Sequence, residues 1–441
     1  MKYNRKWPIL AIWGILQEEG SRVPNASILL YILAGTAMLL ALPVLIWQVG
    51  VAVIGQFSSR RGQTVCAVPG YRHRFAVVVC ARHEEAVIGQ LLDSLAAQEY
   101  PRELFEVFVI ADNCTEDDTA GAARARGATV YERHDLQKVG KGFALRWAID
   151  RIRTDYPGRF DAVCVFDADN LASPGFLARM NGALCAGADV AEGYRDTVNP
   201  EESWVSGCYA VYWMLLMRFF YRARQNLGMS CMVCGTGFAF KMGLLGPEGW
   251  NTRTVTEDCE FSIQQISAGR RIAFVEDAVF YDEQPTGFMT SLHQRYRWVV
   301  GAAQATFFCM KDVRAGIRVR HKGAWDMLAF LLAAPAAMLL MLQGPILFLA
   351  TSLRPRMAGS ALWGMAGCLV ISYAVAAFIA LICVLLEKKS VRKLWKSILL
   401  FPLFMLPMGF MTIPALIRPQ VGWRPIEHRR TASIDDVQKM P

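Results

Sequence analysis

Charge is what this chain has least of. Only 19% of its 441 residues are Asp, Glu, Lys or Arg, against 54% hydrophobic, whereas a soluble domain carries about a quarter charged. A disordered chain, which is poor in apolar residues, is excluded, and so is a collagen-like one. Twelve cysteines and six histidines are too sparse for a disulfide scaffold. The single C-x-x-C, Cys231 to Cys234, has no second pair and no histidine at ligand spacing, which excludes a zinc framework. Neither a Walker A sequence nor G-x-G-x-x-G follows the first apolar strand, so a P-loop ATPase and a dinucleotide dehydrogenase are set aside. The start MKYNRKWPILAIWGILQEEGSR imitates a signal peptide but no small-residue cleavage site follows. Residues 1–26 are therefore expected to form an interfacial segment.

Long apolar runs are what the chain does have. Ser27 to Ile54 carries no charge, and at ~1.5 Å per residue it can cross a ~30 Å hydrocarbon layer. Three further runs, Met327 to Leu353, Ala361 to Leu386 and Leu394 to Ile417, lie near the C-terminus, and the last is interrupted by Pro402, Pro407 and Pro414. The expected organisation is a transmembrane helix over 27–57, a water-soluble domain over 58–301 and an interfacial basic segment over 302–325. A membrane bundle of three candidate spans over 326–417 and a tail over 418–441 complete it.

Orientation follows from the basic flanks. Arg60, Arg61, Arg72 and Arg74 follow the first span, and Lys388, Lys389, Arg392, Lys393 and Lys396 lie between the third and fourth. The positive-inside bias makes both loops, and hence the soluble domain, cytoplasmic in a multi-pass protein of the cell membrane. Four full crossings would leave Arg424, Arg429 and Arg430 outside, so either the proline-rich segment is re-entrant or the tail departs from the bias. A cytoplasmic domain keeps its cysteines as thiols. The net charge of +9 and the run RAGIRVRHK next to a membrane bundle point to anionic lipid headgroups, with no nucleic acid among the partners.

Within the soluble domain, Phe75 to Cys80, Phe105 to Ile110, the run ATVYER and the run AVCVF read as strands, with helical patterns AVIGQLLDSLAAQ and TAGAARARG between them. The alternation predicts an α/β fold, a Rossmann-like mainly parallel sheet with helices on both faces. Ligands bind beyond the carboxyl ends of such strands, so the loops ARHEE, ADNCTEDD and DADN are expected to line one crevice. Acids crowd those loops: Glu84, Glu85, Asp112, Asp117, Asp118, Asp167 and Asp169. Asp117 and Asp118 precede a helix and read as turn and cap residues.

An Asp-x-Asp tripeptide is expected about once by chance in a chain of this length. Asp167 and Asp169 gain weight from standing directly after a buried strand. Two carboxylates there can hold Mg2+ or Mn2+, whose open positions take phosphate oxygens. Gly140-Lys141-Gly142 reads either as a phosphate-facing lysine or as a plain helix start. In VTEDCEFSI, Glu257 and Asp258 open an apolar-periodic helix, where acids also favour the N-terminus. In HQRYRWVVG a helix sets Gln294 beside Arg297 and Trp298. Arg can clamp a pyrophosphate and Trp offers a flat face, although a Trp-Arg cluster also suits a membrane interface.

Taken together, ARHEE, ADNCTEDDT, GKGFAL, DADN, GTGF, TED and QRYRW, in this order from Phe75 to Gly301 with apolar spans on both sides, resemble the membrane-integrated family 2 glycosyltransferases. That group includes the cellulose, chitin, hyaluronan and poly-N-acetylglucosamine synthases. The resemblance implies a GT-A fold, flanked by transmembrane and interfacial helices, that binds a UDP-sugar and inverts its anomeric carbon. It implies donor contacts from Glu84, Asp112, Lys141, Asp167 and Arg297, metal ligation by Asp169, and acceptor contacts from Glu257, Gln294 and Trp298. Asp258, the last residue of TED, would be the general base. His83 stands where the family commonly has Asn, and the closing GWRPIEHRR resembles a tail motif of one branch.

The chemistry suits these roles. Displacement at an anomeric carbon needs a base at the acceptor hydroxyl and charge neutralisation at the leaving diphosphate. The expected activity is a metal-dependent hexosyltransfer from UDP-GlcNAc or UDP-Glc to a growing β-linked polysaccharide, the alternative being a non-processive transfer to a lipid acceptor. Membrane lipids, and a homo-oligomer or accessory subunit, are the further partners expected.

Overall fold

The computed structural model describes residues 23–58, 72–354, 357–420 and 434. The expected interfacial segment up to residue 22, Arg60, Arg61, and Arg424, Arg429 and Arg430 of the tail lie outside the described residues.

Apolar β-branched runs form the centre of an eight-stranded mixed sheet. Its strands are β1 (Phe75–Ala81), β2 (Phe105–Asp112), β3 (Thr129–Arg133), β4 (Ala162–Asp167), β5 (Leu171–Ala172), β6 (Val190–Thr197), β7 (Phe238–Lys241) and β8 (Ile272–Asp282), in the order β3-β2-β1-β4-β7-β6-β8-β5. The four strands expected from the sequence are all present and mutually parallel. Beyond β4 the sheet turns mixed: β7 runs antiparallel to β4 and β6, while β6 and β8 are parallel. Those later strands were not legible beforehand, since FAFK is too short to give a period.

Side chains along β1 alternate between two cores. Ala76 and Val78 join one cluster with Leu145, Ile149, Tyr209 and Phe261, while Phe75, Val77 and Val79 join another with Ile88, Leu91, Phe176 and Met180. A strand buried on both faces must be apolar throughout, which is why these strands read as unbroken runs.

The helices are α1 (Val23–Phe57), α2 (Ile88–Ala96), α3 (Thr119–Arg124), α4 (Lys141–Asp155), α5 (Phe176–Cys185), α6 (Trp204–Leu215), α7 (Ala223–Asn226), α8 (Glu257–Ser267), α9 (Phe288–Arg318), α10 (Lys322–Ser352), α11 (Ala358–Leu386) and α12 (Val391–Ile417). A π-helical stretch, Leu216–Arg222, joins α6 to α7. Asp118 caps α3, accepting a 2.8 Å hydrogen bond from the Gly121 amide, as its position before the helix predicts.

Among the described residues, four helices are long and apolar enough to cross a membrane: Ala26–Phe57, Lys322–Ser352, Gly359–Leu386 and Val391–Ile417. The last runs unbroken through Pro402, Pro407 and Pro414, although each proline forfeits a backbone hydrogen bond. Its packing on α6 and α9 compensates for those lost bonds.

By compactness the chain divides into two units, Met1–Trp47 with Leu332–Ala376, and Gln48–Leu331 with Ala377–Pro441. In the first, Gln343 donates to the Ala34 carbonyl at 3.0 Å and the Tyr31 hydroxyl meets that of Thr351 at 3.0 Å, joining α1 to α10. The second contains the sheet and the cavity described below. All eleven cysteines among the described residues are free thiols.

Candidate active site

The parallel strands end on one side of the sheet, and a cavity of about 430 Å³ opens there. It is lined by the ten residues given donor, acceptor, metal or catalytic roles from the sequence, Glu84, Asp112, Lys141, Asp167, Asp169, Glu257, Asp258, Gln294, Arg297 and Trp298, while Glu85, Asp117 and Asp118 of the same loops are not in the lining.

At the strand-borne end, Asp112 finishes β2 beside Arg133 on β3, and the two are bonded at 2.5 Å. Burial pushes the Asp112 carboxyl up and the Arg133 guanidinium pulls it back, leaving it above its ordinary value. Asp167 ends β4 and bonds the Lys141 ammonium, which also donates to the Gly235 carbonyl at 2.7 Å. Burial disfavours that ammonium, but the charges of Asp167 and Glu257 outweigh it and hold its pKa above the usual lysine range. Lys141 thus both opens α4 and faces the cavity.

The DADN loop is pinned from behind. Asn170 donates to Asp169 at 3.2 Å and to buried Asp282 at 2.7 Å, and accepts from the Thr236 hydroxyl, which itself receives the Asp167 amide at 2.8 Å. Asp282 is in turn bonded by Arg195 and Gln284. Asp282, Thr236 and Arg195 escape the sequence reading because they act at a distance from the motif they support. Their only advance sign is an acid at the end of an apolar strand in FYDEQP and the Thr of GTGF.

The helix-borne end is built by α8 and α9. Gly301 of α9 lies so close to Thr256 that any Cβ would overlap it, and this approach sets the start of α8 against Arg297 and Trp298. Glu257 is buried and Asp258 half-buried. Burial raises both carboxyls above their ordinary values; the neighbouring Asp258 charge raises Glu257 further, and Lys141 lowers both. Gly235 takes a left-handed φ of +91°, and a Cβ there would stand 3.3 Å from Asp258 Oδ2, so glycine keeps that carboxylate unobstructed.

Gln294 accepts from the Tyr209 hydroxyl at 2.6 Å. Arg297 makes no hydrogen bond or ion pair among the described residues, leaving its guanidinium available to an anionic ligand. The Trp298 ring stacks on Tyr212, 6.1 Å away at 20°, and meets Trp213 edge-on at 5.8 Å. From this shelf the lining continues through Leu216, Phe220, Met232 and Val233 to Phe330 of α10, an apolar wall that no motif announced.

The described residues contain no group of three His, Cys, Asp or Glu at ligating spacing. Mg2+ and Mn2+ do not require one when phosphates complete their shell. The carboxylates of Asp167 and Asp169 on one strand-end loop, with Asp169 steadied by Asn170, are oxygen donors of the type such an ion takes.

Comparison with known proteins agrees with this geometry. The chain is 26% identical over 331 residues to the beta-monoglucosyldiacylglycerol synthase of Nostoc sp., a match covering 71% of this chain and 68% of that one. It is 26% identical over 180 residues to a probable glucomannan 4-beta-mannosyltransferase of Oryza sativa subsp. japonica, covering 39% of this chain and 31% of that one. Among solved structures, the mannosyltransferase PcManGT from Pyrobaculum calidifontis, in complex with GDP-Man and Mn2+, superposes with a TM-score of 0.54 at 18% identity, over 85% of this chain and 99% of that one; this likeness supports the GT-A fold. Residues 73–301, more than half the chain and the span that encloses every residue of the cavity up to Trp298, match the family described as glycosyltransferase like family 2, and the chain belongs to that family.

Proposed function

We propose that the protein transfers one sugar from a UDP-sugar, with inversion, to an acceptor that carries an apolar tail. The observation that carries this reading is the continuity of one cavity from the acid-lined strand ends, past Asp258, to an apolar wall that reaches Phe330 on the membrane-length helix α10. Aliphatic Leu216, Met232 and Val233 offer a sugar neither a stacking face nor a hydrogen bond, whereas the tail of a lipid acceptor packs on such side chains. The resemblance of QRYRW to polymer synthases is thus outweighed by the lining of the cavity, and the similarity to a synthase of a glucosylated diacylglycerol points the same way.

In this reading Glu84 and Asp112 hold the nucleoside, and Lys141 and Arg297 meet the diphosphate, Arg297 through its uncommitted fork. Asp167 and Asp169 would hold Mg2+ or Mn2+, which when bound neutralises charge on the leaving diphosphate. Asp258 takes the proton from the acceptor hydroxyl, and its raised pKa makes it a stronger base than an ordinary carboxylate. Glu257, Gln294 and Trp298 position the acceptor sugar or headgroup.

Membrane association with the catalytic domain on the cytoplasmic side completes the reading. Lys389 bonds Asp196 at 3.1 Å and Lys393 bonds Glu201 at 2.8 Å, so the basic loop after α11 shares the side of the catalytic domain.

The test is incubation of purified full-length protein with labelled UDP- and GDP-sugars, each with and without diacylglycerol, and with Mg2+, Mn2+ or a chelator. The expected result is a chloroform-soluble product of one or two sugars that requires the lipid, a UDP-sugar and a divalent ion. A water-soluble polymer formed without added lipid overturns the acceptor assignment.

A further inference from the structure

Helix α12 qualifies by length and composition as a membrane crossing, yet it touches the catalytic domain from end to end. At its start, Lys393 pairs with Glu201, and Ser397 donates to the Trp204 carbonyl at 3.2 Å and accepts from the Cys208 thiol at 3.4 Å through its own carbonyl. Gly207 has no room for a Cβ beside Ser397, so α6 is shaped for this approach. Midway, buried Arg295 of α9 donates to the Phe404 carbonyl and lies 3.7 Å over the Phe404 ring. Near the end, Ala415 packs with Val299, Val300 and Ala303, and just beyond it Gln304 donates to the Pro419 carbonyl at 2.9 Å while accepting from the Val255 amide.

From Ser397 to Ile417 a helix rises about 30 Å, the thickness of a hydrocarbon layer. A helix crossing that layer would have to carry α6 and α9 into it. The segment of α9 packed on α12 holds Arg295 and Arg297, each costly there, and α9 as a whole lacks the composition of a span.

The opposite face of α12 is a second stripe. Trp395, Leu399, Leu403, Leu406, Phe410 and Ile417 are each about half exposed or more, at spacings of three, four or seven residues that align them on one side. Such a stripe is too apolar to face water. Its charges outside the pairing with the catalytic domain, Arg392 and Lys396, cluster at the N-terminal end near Lys388, a cationic rim suited to anionic headgroups.

We propose that α12 does not cross the membrane but lies on it, its inner face carrying the catalytic domain and its outer face buried among lipid headgroups and upper acyl chains on the domain's own side. The chain then crosses three times, through α1, α10 and α11, and Arg418, Arg424, Arg429 and Arg430 join the basic loops on one side, removing the conflict with the positive-inside bias. The proposal rests on the membrane association proposed above.

Reporter enzymes fused to the full chain at the C-terminus, and separately inserted in the exposed turn at Gly158, report sidedness in cells. Both are expected on the cytoplasmic side, with the chain resisting alkaline extraction from membranes. A C-terminal reporter on the opposite side from the Gly158 reporter overturns the proposal; release of the whole chain by alkali overturns the membrane reading instead. For depth, Phe410 and Leu406 are changed singly to Trp, F410W and L406W, in vesicles containing lipid quenchers. Each Trp signal is compared with the parent protein. Stronger quenching of the added signal by a shallow label than by a mid-bilayer label is expected. Quenching greatest at the bilayer centre overturns the surface placement. Absent quenching together with cross-linked dimers overturns the lipid as occupant, giving the stripe to a second copy of the chain.

Discussion

The strand-borne and helix-borne ends of the cavity hold their acids with different partners. Asp112 and Asp167 each bond a cation, Arg133 and Lys141, on loops whose positions follow from the parallel sheet. Glu257 and Asp258 stand adjacent at the start of α8, and burial raises both of their pKa values. Ion pairs hold the carboxylates of the first end in place, where in the proposed reading they anchor the nucleotide and ion. Mutual repulsion and burial make the second end ready to take up a proton. The contrast matches what inverting transfer asks: stable charge on the leaving side and a base on the attacking side.

The sharpest way to break the contrast is to remove proton uptake and leave the anchors. Asp258→Asn is expected to lower kcat by about 10²- to 10⁴-fold, the range typical of general acid–base catalysis, with nucleotide binding unchanged by calorimetry. If nucleotide affinity falls in parallel with kcat, Asp258 belongs with the anchors. Next in size is Arg297→Ala. A charged hydrogen bond lost to the diphosphate costs about 1.5–3 kcal/mol, or roughly 10- to 100-fold in kcat/KM. Arg297→Lys should recover little, because it keeps the charge and loses the fork. Full rescue by lysine would reduce Arg297 to a point charge.

The third prediction couples the two ends. Lys141 lowers the pKa of both Glu257 and Asp258, so Lys141→Met should raise them. A base works only when ionised, so activity is lost as pH falls through its pKa, and the acid limb of the pH–rate profile should move to higher pH in the variant. The position of the limb is the readout, since loss of a diphosphate contact lowers the height of the whole profile without moving it. An unmoved limb would uncouple Lys141 from the base.

How much of this was legible in the sequence differs between the ends in the same way. The strand-borne end follows from local pattern: buried runs such as FAVVVC and AVCVF predict strands, strand ends predict a crevice, and the acids that follow lie in it. The helix-borne end was found through the wording of TED and QRYRW, because spacing on one helix says nothing of where that helix packs. The closeness of Gly301 to Thr256 that brings Asp258 to Arg297 is a contact across 45 positions of chain, and no period encodes it. The supports behind DADN and the aromatic shelf under Trp298 were hidden for the same reason. Helix α12 is the converse case, since its composition makes it long and apolar enough for a membrane but does not distinguish crossing from lying flat.

The smallest predicted effect concerns that shelf. Tyr212 stacks under Trp298, while neither ring belongs to the anchors or adjoins the acids of the strand ends. Aromatic pairs contribute about 0.5–1.5 kcal/mol beyond their buried area, so Tyr212→Leu should raise the acceptor KM about 2- to 10-fold. Because Leu keeps the apolar wall continuous, the lipid tail of the proposed acceptor would retain its contact and only the flat support for the headgroup or sugar would be lost. Donor KM, and any slow hydrolysis of the UDP-sugar without acceptor, should therefore stay as they are. If instead acceptor KM holds and kcat falls, the shelf contributes to the transition state. The boundary between the two ends would then lie beyond Trp298, at the aliphatic wall formed by Leu216 and Met232.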